Sequence, residues 1–542
     1  MNSENSGSVD VPDLAGHDPE KHRDTSIQSQ GGSDQELEVG NYAHGLQLAV
    51  ICISLCLCVF LVGLDATILT SAIPRITDEF GSVEDVGWYD SAFRLTSSMS
   101  QLSQGKLLDN YPVKWVFLAN MVIFEAGILV SALAPTSVAF IFGRAITGLG
   151  FSGISQGIVA TSIPLQKRAT YLGIISASEY TAMAIAPIIG GALTSSLSWR
   201  WCFYINLPTS AAPAAMLLLL KTPGIPLRGE KSHIQRLRQL DLLGCLFYAP
   251  AVLCLLLALQ MGGEIYSWSD ARIIALFILA PILFLIFCYT QHVKQDAAMM
   301  PPRIIKKRTI MASALFSLSL SACRAIVQYY IAIWFQTVRG VSPLQSGINT
   351  LPMVVAILVS AVVAGRFISI TGSYTPIMIP AGFLIVTGIS IMTTFTHTTP
   401  KRLWVTSLVL LGIGSGSSVA SPFIAAQTVL NINDISAGMA LMTLSQDLGE
   451  AVFISVAQAI FLNRLASALR TTVPGLSPQE VLHLGATNLK DKIPSQDVEG
   501  VALSYNVGVR STFYLAVALA ATIVVAALPL QNISFKDKKR QK

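Results

Sequence analysis

The chain has 542 residues, 52% of them hydrophobic and only 12% charged, which excludes a soluble enzyme: ordinary soluble domains carry about 25% charged residues. The net charge of +5 hides an asymmetry, because residues 1–45 hold nine acids and two bases, leaving 34 bases against 22 acids in the remainder. Those bases sit in links between apolar runs, so they report membrane orientation rather than nucleic-acid binding.

In chain order, residues 1–45 read as a disordered acidic cytoplasmic tail, rich in Ser, Gly, Asp and Glu. No basic stretch precedes a cleavable apolar core there, so the first span is expected to act as its own insertion signal. Apolar runs of spanning length follow at 46–72, 87–107, 115–134, 138–161, 170–194, 202–220, 241–261, 271–290, 310–336, 346–369, 375–395, 403–428, 438–462 and 512–530, fourteen in all. Three basic clusters fall on one side if the count is even. They are Lys221 to Arg238, Lys294 to Arg308, and the tail from Lys536 to Lys542, and that side is cytoplasmic. The eight cysteines all lie within predicted spans and read as small buried hydrophobes, with no disulfide framework expected.

A faint internal repeat divides the runs. Gly105-Lys106 and Gly365-Arg366 each put a glycine and a base at the inner end of a span, 260 positions apart. The division expected is a six-helix half over 46–220, two inserted helices with cytoplasmic linkers over 221–300, and a second six-helix half over 301–530. An extracellular loop at about 463–511 and a basic cytoplasmic tail at 531–542 complete it.

Within the fifth run, Glu179 to Gly191 combine an acid, Pro187 and the pair Gly190-Gly191. A proline removes a helical N–H and clashes with the preceding turn, paired glycines admit a close neighbour, and a carboxylate at membrane depth is costly and usually functional. The segment therefore suggests a helix that moves against a neighbour beside a polar pathway. The other ionisable residues at membrane depth are Asp65, Arg94, Glu125, Arg144, Arg324, Asp447 and Glu450. Acids there have proton affinities that a nearby arginine can swing, which is what coupling to a proton gradient needs. Each also has a structural reading: helix capping for Asp65, carbonyl bonding for Arg144, interhelical pairing for Glu125, Glu179, Asp447 and Glu450. Asp65 is expected to pair with Arg94 or Arg144. Arg324 and Gln328 share a helix face, and Tyr329, Tyr330, Trp334 and Phe335 form an aromatic stripe that either packs helices or lines a substrate cavity. No metal-ligand spacing, phosphate-binding Gly-rich loop or nucleophile elbow occurs, so neither a cofactor nor ATP is expected, and an ion gradient must supply the energy.

The order of short motifs resembles one family. Leu64-Asp65-Ala-Thr67 through Pro74 resembles the first-span signature of the 14-span drug:proton antiporters of the major facilitator superfamily. Gly105-x-Leu107-x-Asp109 resembles the loop 2–3 motif of that superfamily, Phe142-Gly-Arg144 through Gly150 its span-four motif, and Ala186-Pro187-Ile-Ile-Gly190-Gly191 its antiporter motif. The link from Gln336 to Pro352 is similar to that branch's span 9–10 link. The departures are Asn110 and Pro112 in the gate loop, Ala182 and Ala186 where glycines are common, and Glu450 where relatives usually carry a small residue.

The resemblance covers roughly residues 45–530 and implies an all-α integral membrane protein with a 14-helix major facilitator fold. It implies no enzyme but an antiporter that exports a small amphipathic toxin, metabolite or drug in exchange for protons, as a monomer in the plasma membrane or a vacuolar membrane. Asp65, Arg94, Arg144, Glu179 and Arg324 would handle protons, and Gln328, Tyr329 and Trp334 would line the substrate cavity. Pro187, Gly190 and Gly191 would form the antiporter motif, and Gly105, Lys106, Asp109 and Lys114 would latch the gate. Alternatives are an uptake or siderophore carrier on the same fold and a sensor that has lost transport.

Overall fold

The computed structural model describes residues 43–82, 85–150, 158–159, 162–219, 241–262, 266–431, 434–473 and 497–531. Its helices are α1 (Gly45–Phe80), α2 (Val86–Asn110), α3 (Val113–Leu133), α4 (Ser137–Gly150), α5 (Leu165–Ser196), α6 (Trp201–Tyr204) and α7 (Asn206–Leu219). After them come α8 (Leu242–Met261), α9 (Ala271–Lys294), α10 (Pro302–Ile305) and α11 (Arg308–Ile333), which runs into a π-helical turn at Trp334–Val338. The remainder are α12 (Pro343–Thr371), α13 (Thr375–Met392), α14 (Lys401–Ser418), α15 (Ser421–Val429), α16 (Ile435–Thr472) and α17 (Val498–Ala527).

Among the described residues, twelve helices are long and apolar enough to cross a membrane, counting 201–219 and 401–429 as one each. The expectation of fourteen needs correcting at two of its runs. The run at 87–107 forms α2, which is long but polar, with Asp90, Arg94, Gln101, Gln104 and Lys106 along it. Such a helix is tolerated at membrane depth because its polar groups turn to protein, and Gln101 and Gln104 are buried. The run at 138–161 forms α4, apolar but described over only 14 residues. The segment expected as an extracellular loop, 463–511, is helical at both ends: α16 continues to Thr472 and α17 already begins at Val498. The sequence reading stopped where Asn463, Arg464 and Arg510 ended the apolar pattern. A helical hydrogen-bond ladder does not need an apolar face, however, and here the two ends are tied by a Thr472–Ser504 hydroxyl contact of 2.6 Å. The acidic tail, the linker at 220–240, the rest of the outer loop and the basic tail lie outside the described residues.

Two groups of helices pack internally. In the first, α1 lies on α5 and α7, and α4 on α2 and α3; in the second, α11, α16 and α17 pack on one another, and α12 and α13 both pack on α14. Glycines set the spacing within each group. A Cβ on Gly148 of α4 would collide with Thr96 Oγ1 and the Phe93 carbonyl of α2. One on Gly449 of α16 would collide with the Leu318 carbonyl of α11. The groups meet along two seams, α5 with α12 and α2 with α16.

Helices α8 and α9 pair with each other, and α8 leans on both α2 and α16. Asp241 caps α8 through the Gly244 N–H (2.8 Å) and also accepts from Gln291 (2.7 Å), the Met299 N–H (3.1 Å) and Lys294 (2.5 Å). Burial alone would raise this carboxyl, but the bonds from Lys294, Gln291 and the two backbone N–H groups outweigh it and hold Asp241 below the usual aspartate range.

Candidate transport site

Asp65 lies on α1 and Arg144 on α4, and they form an ion pair of 2.7 Å with both side chains wholly buried. Of the two partners anticipated for Asp65, the structure selects Arg144. The guanidinium also donates from Nε to the Tyr89 carbonyl (2.9 Å) and lies 4.9 Å from the centroid of Phe93, so α2 helps to hold it. Asp65 Oδ1 and Arg144 Nη2 have no hydrogen-bond partner among the described residues. This pair ties three helices of one group together and leaves spare bonding capacity in a dry place.

Arg94, one turn beyond Tyr89 on α2, pairs elsewhere. Its Nε contacts Asp90 (2.6 Å) and its Nη1 contacts Glu450 (2.8 Å) on α16. Arg324 on α11 approaches the other oxygen of Glu450 at 3.5 Å and lies 5.7 Å from the ring of Tyr180 on α5. These groups border a cavity of about 250 Å³ between the helix groups, with Glu125, Glu179, Asp447 and Glu450 as its acids and Arg94 and Arg324 as its bases. Phe93, Phe117, Phe124, Met121 and Met183 supply an apolar wall. A cavity with apolar walls and a few convergent polar groups is the usual form of a small-molecule site. Neither carboxylate oxygen of Glu125 nor Asp447 Oδ2 meets a hydrogen-bond partner in good geometry among the described residues, and the polar group beside Glu125 is the Ser210 hydroxyl of α7.

The other anticipated residues distribute as follows. Glu179 lines the cavity. Gln328, Tyr329 and Trp334 do not line it. Trp334 is fully buried in a cluster with Phe335 and Phe395, and its indole N–H donates to Asn506 (3.0 Å); Tyr329 is half exposed on the far side of α11. Period 3.6 turns Tyr329 and Trp334 away from Arg324, while Gln328 shares its face without lining the cavity. Pro187 lies inside a continuous α5, and its carbonyl accepts from Ser71 of α1 (3.3 Å). Gly190 abuts Ile68 and Ser71, but a Cβ on Gly191 would meet nothing within 4 Å, so one glycine of the pair makes the close approach.

At the gate loop, Lys114 donates to the Leu218 carbonyl (2.9 Å) and so bonds within its own helix group. Gly105 instead makes the contact across, with Ala440 and the Ser436 carbonyl of α16 close to where a Cβ would be. Asp109 ends α2 next to Asn110, and the Asn110 side chain donates to the Lys106 carbonyl (2.9 Å). The second seam closes at the same basic end, where Gly173 of α5 packs on the Ala361 carbonyl and Gly365 of α12 on the Ala169 carbonyl. Arg168 adds a bond to Gln427 (3.0 Å), and the Thr170 and Ser369 hydroxyls are 2.8 Å apart. This is the end that carries the basic links, and the two seams close it.

Sequence reasoning counted Glu450 among the ionisable residues at membrane depth that could carry transport, and slightly favoured an interhelical pair near the inner end without naming its partner. Its spacing from Asp447 showed a shared face, but that α2 supplies the partner follows only from tertiary packing.

An all-helical bundle with a charged cavity between two helix groups defines an integral, multi-pass membrane carrier. The profile of the Major Facilitator Superfamily matches residues 55–454, and the chain belongs to that superfamily, in the branch that contains fungal efflux pumps. It is 43% identical over 509 residues to the MFS-type efflux pump MFS1 of Arthroderma benhamiae, covering 93% of this chain and 95% of that one. It is 41% identical over 503 residues to the rubrofusarin-specific efflux pump aurT of Gibberella zeae, covering 92% of each. Among solved structures, the human organic anion transporter MFSD10 superposes with a TM-score of 0.56 at 14% identity, over 88% of this chain and 100% of that one, a likeness of fold.

Proposed function

We propose that the protein exports small amphipathic organic compounds in exchange for protons, by alternating access. The observation that carries this reading is the cavity between the two helix groups, where acids without hydrogen-bond partners face apolar and aromatic walls. Most of the relatives at 37–43% identity are named as efflux pumps or efflux proteins, which supports export over uptake. In this reading two six-helix halves rock about the cavity and α8–α9 form the inserted pair. Helices α2 and α4 count as spans, which brings the total to fourteen. The protein works as a monomer in the plasma membrane with its basic ends in the cytoplasm.

Glu179 lines the cavity, and Asp65, on α1 between the lining residues Gly63 and Ala66, is paired to Arg144. A proton on Asp65 would release Arg144 from its counter-ion, and because Arg144 also holds α2 through Tyr89, that release reaches the seam helix. Expressing cells should accumulate less of a fluorescent amphipathic dye, and a protonophore should abolish the difference. Arg144→Ala should reach the membrane but lose efflux; efflux unchanged in that variant, or protonophore-insensitive in the parent, overturns the assignment.

A further inference from the structure

We infer that Glu450 is a coupling residue. It forms a releasable ionic bridge across the α2–α16 seam, and its protonation frees the seam to open at the cytoplasmic end. This deepens the reading above without depending on the substrate or on the direction of transport.

The bridge joins two rigid bodies. Phe93, next to Arg94, is pressed against Gly148, which fixes this part of α2 to α4. Gly449, next to Glu450, is pressed against Leu318, and Ser321 donates to the Gln446 carbonyl (2.7 Å), which fixes this part of α16 to α11. Backbone-level contacts of this kind do not yield without moving whole helices. The Arg94–Glu450 contact of 2.8 Å therefore reports the relation of one group to the other.

Both arginines keep a partner when the bridge breaks. Arg94 retains Asp90 at 2.6 Å, and Arg324 retains the face of Tyr180. Breaking a buried pair is costly when it strands a charge, and here neither cation is stranded. Glu450 is itself 21% exposed and Arg94 39% exposed, toward the cavity, so a proton can reach the carboxylate. In the step, a proton from the cavity bonds to a Glu450 oxygen, the carboxyl becomes neutral, and the charge-assisted bonds from Arg94 and Arg324 are lost.

The groups facing Glu450 are Asp90 and Arg94 from α2, Arg324 from α11, Glu179 and Tyr180 from α5, and Asp447 on its own helix, with Tyr248 of α8 nearest Asp447. α15 carries no ionisable residue; α17 carries Glu499, Tyr505, Arg510 and Tyr514, of which Arg510 is held by the Thr393 carbonyl. From Ala440, which meets Gly105, to Glu450 is ten residues of helix, roughly 15 Å, so the bridge lies deep in the seam and the glycine contact at its cytoplasmic mouth. The intact bridge favours the closed mouth.

Hydrogen–deuterium exchange of the full-length protein, purified in lipid nanodiscs without substrate, tests this. Peptides at the mouth, around Ala169–Gly173 and Ala361–Gly365, should exchange about three- to fivefold faster in Glu450→Gln and in Arg94→Gln. The double variant should be no faster than either single one. Peptides of α13 and α14 serve as the folding control and should not change. Parental exchange at the mouth in Glu450→Gln, additive effects in the double variant, or loosening of α13 and α14 as well would each overturn the inference. None of these readouts requires transport, so they can fail while the export reading stands, and the reverse.

Discussion

Replacing Asp65 by alanine removes one partner of an ion pair in which neither side chain is exposed. Arg144 would keep the Tyr89 carbonyl at 2.9 Å and the Phe93 ring at 4.9 Å, but it would lose its counter-ion with Nη2 already unbonded. For unit charges about 4 Å apart at an effective dielectric near 20, the attraction is about 4 kcal/mol. That matches the roughly 3–5 kcal/mol lost when one member of a buried pair is removed. Replacing both, as Asp65→Ala with Arg144→Met, removes the stranded charge, so the double variant should recover roughly half of that loss. Melting of the purified protein can be followed with a thiol-reactive fluorogenic dye, because Cys52, Cys202, Cys254 and Cys323 are buried until the helices part. Asp65→Ala should melt well below the parent and the double variant between the two. A double variant that melts as low as the sum of the single losses would refute the argument that burial of an uncompensated charge is what destabilises.

Three further outcomes follow from the packing. Gly148→Ala places a methyl against Thr96 and the Phe93 carbonyl; it should cost about 1–3 kcal/mol and lower dye efflux by displacing α2. Gly191→Ala places a methyl where nothing lies within 4 Å, so efflux and melting should both stay at the parental value, within about 0.5 kcal/mol. Asp241 has a depressed carboxyl, so its contribution to stability is present above its unfolded value of about 3.9 and is lost as pH falls through the lower folded value. Asp241→Asn should therefore melt below the parent at neutral pH, with the gap closing in melting curves taken below about pH 4.

The spans were legible because lipid imposes a length and an apolar composition that sequence displays directly. What escaped were places where protein, not lipid, is the solvent: α2 is polar because it faces its neighbours, and α16 and α17 run past the apolar zone on their hydrogen-bond ladders. In the site, the ionisable residues could be enumerated, since charge at membrane depth is rare, but their partners could not. Asp65 to Arg144 spans 79 positions and Arg94 to Glu450 spans 356, and no periodicity links residues so far apart. The aromatic stripe misled for a related reason: Trp334 satisfies its indole through Asn506, a residue 172 positions away. The Gly-basic repeat had more content than its two residues suggested, because Gly105 and Gly365 both prove to be seam contacts.

The α5–α12 seam is built from one short phrase written twice. Ala169 and Gly173 on one helix face Ala361 and Gly365 on the other, each glycine against the opposite alanine's carbonyl, so the contact is its own mirror. Surfaces this flat adhere through many weak dispersion contacts, and a gap of 0.5–1 Å forfeits about a quarter to a half of each. Such a joint has no comfortable half-open position. Like a magnetic clasp it is either shut or apart, which allows a weak signal elsewhere in the molecule to be read as a yes or a no at the basic end of the bundle.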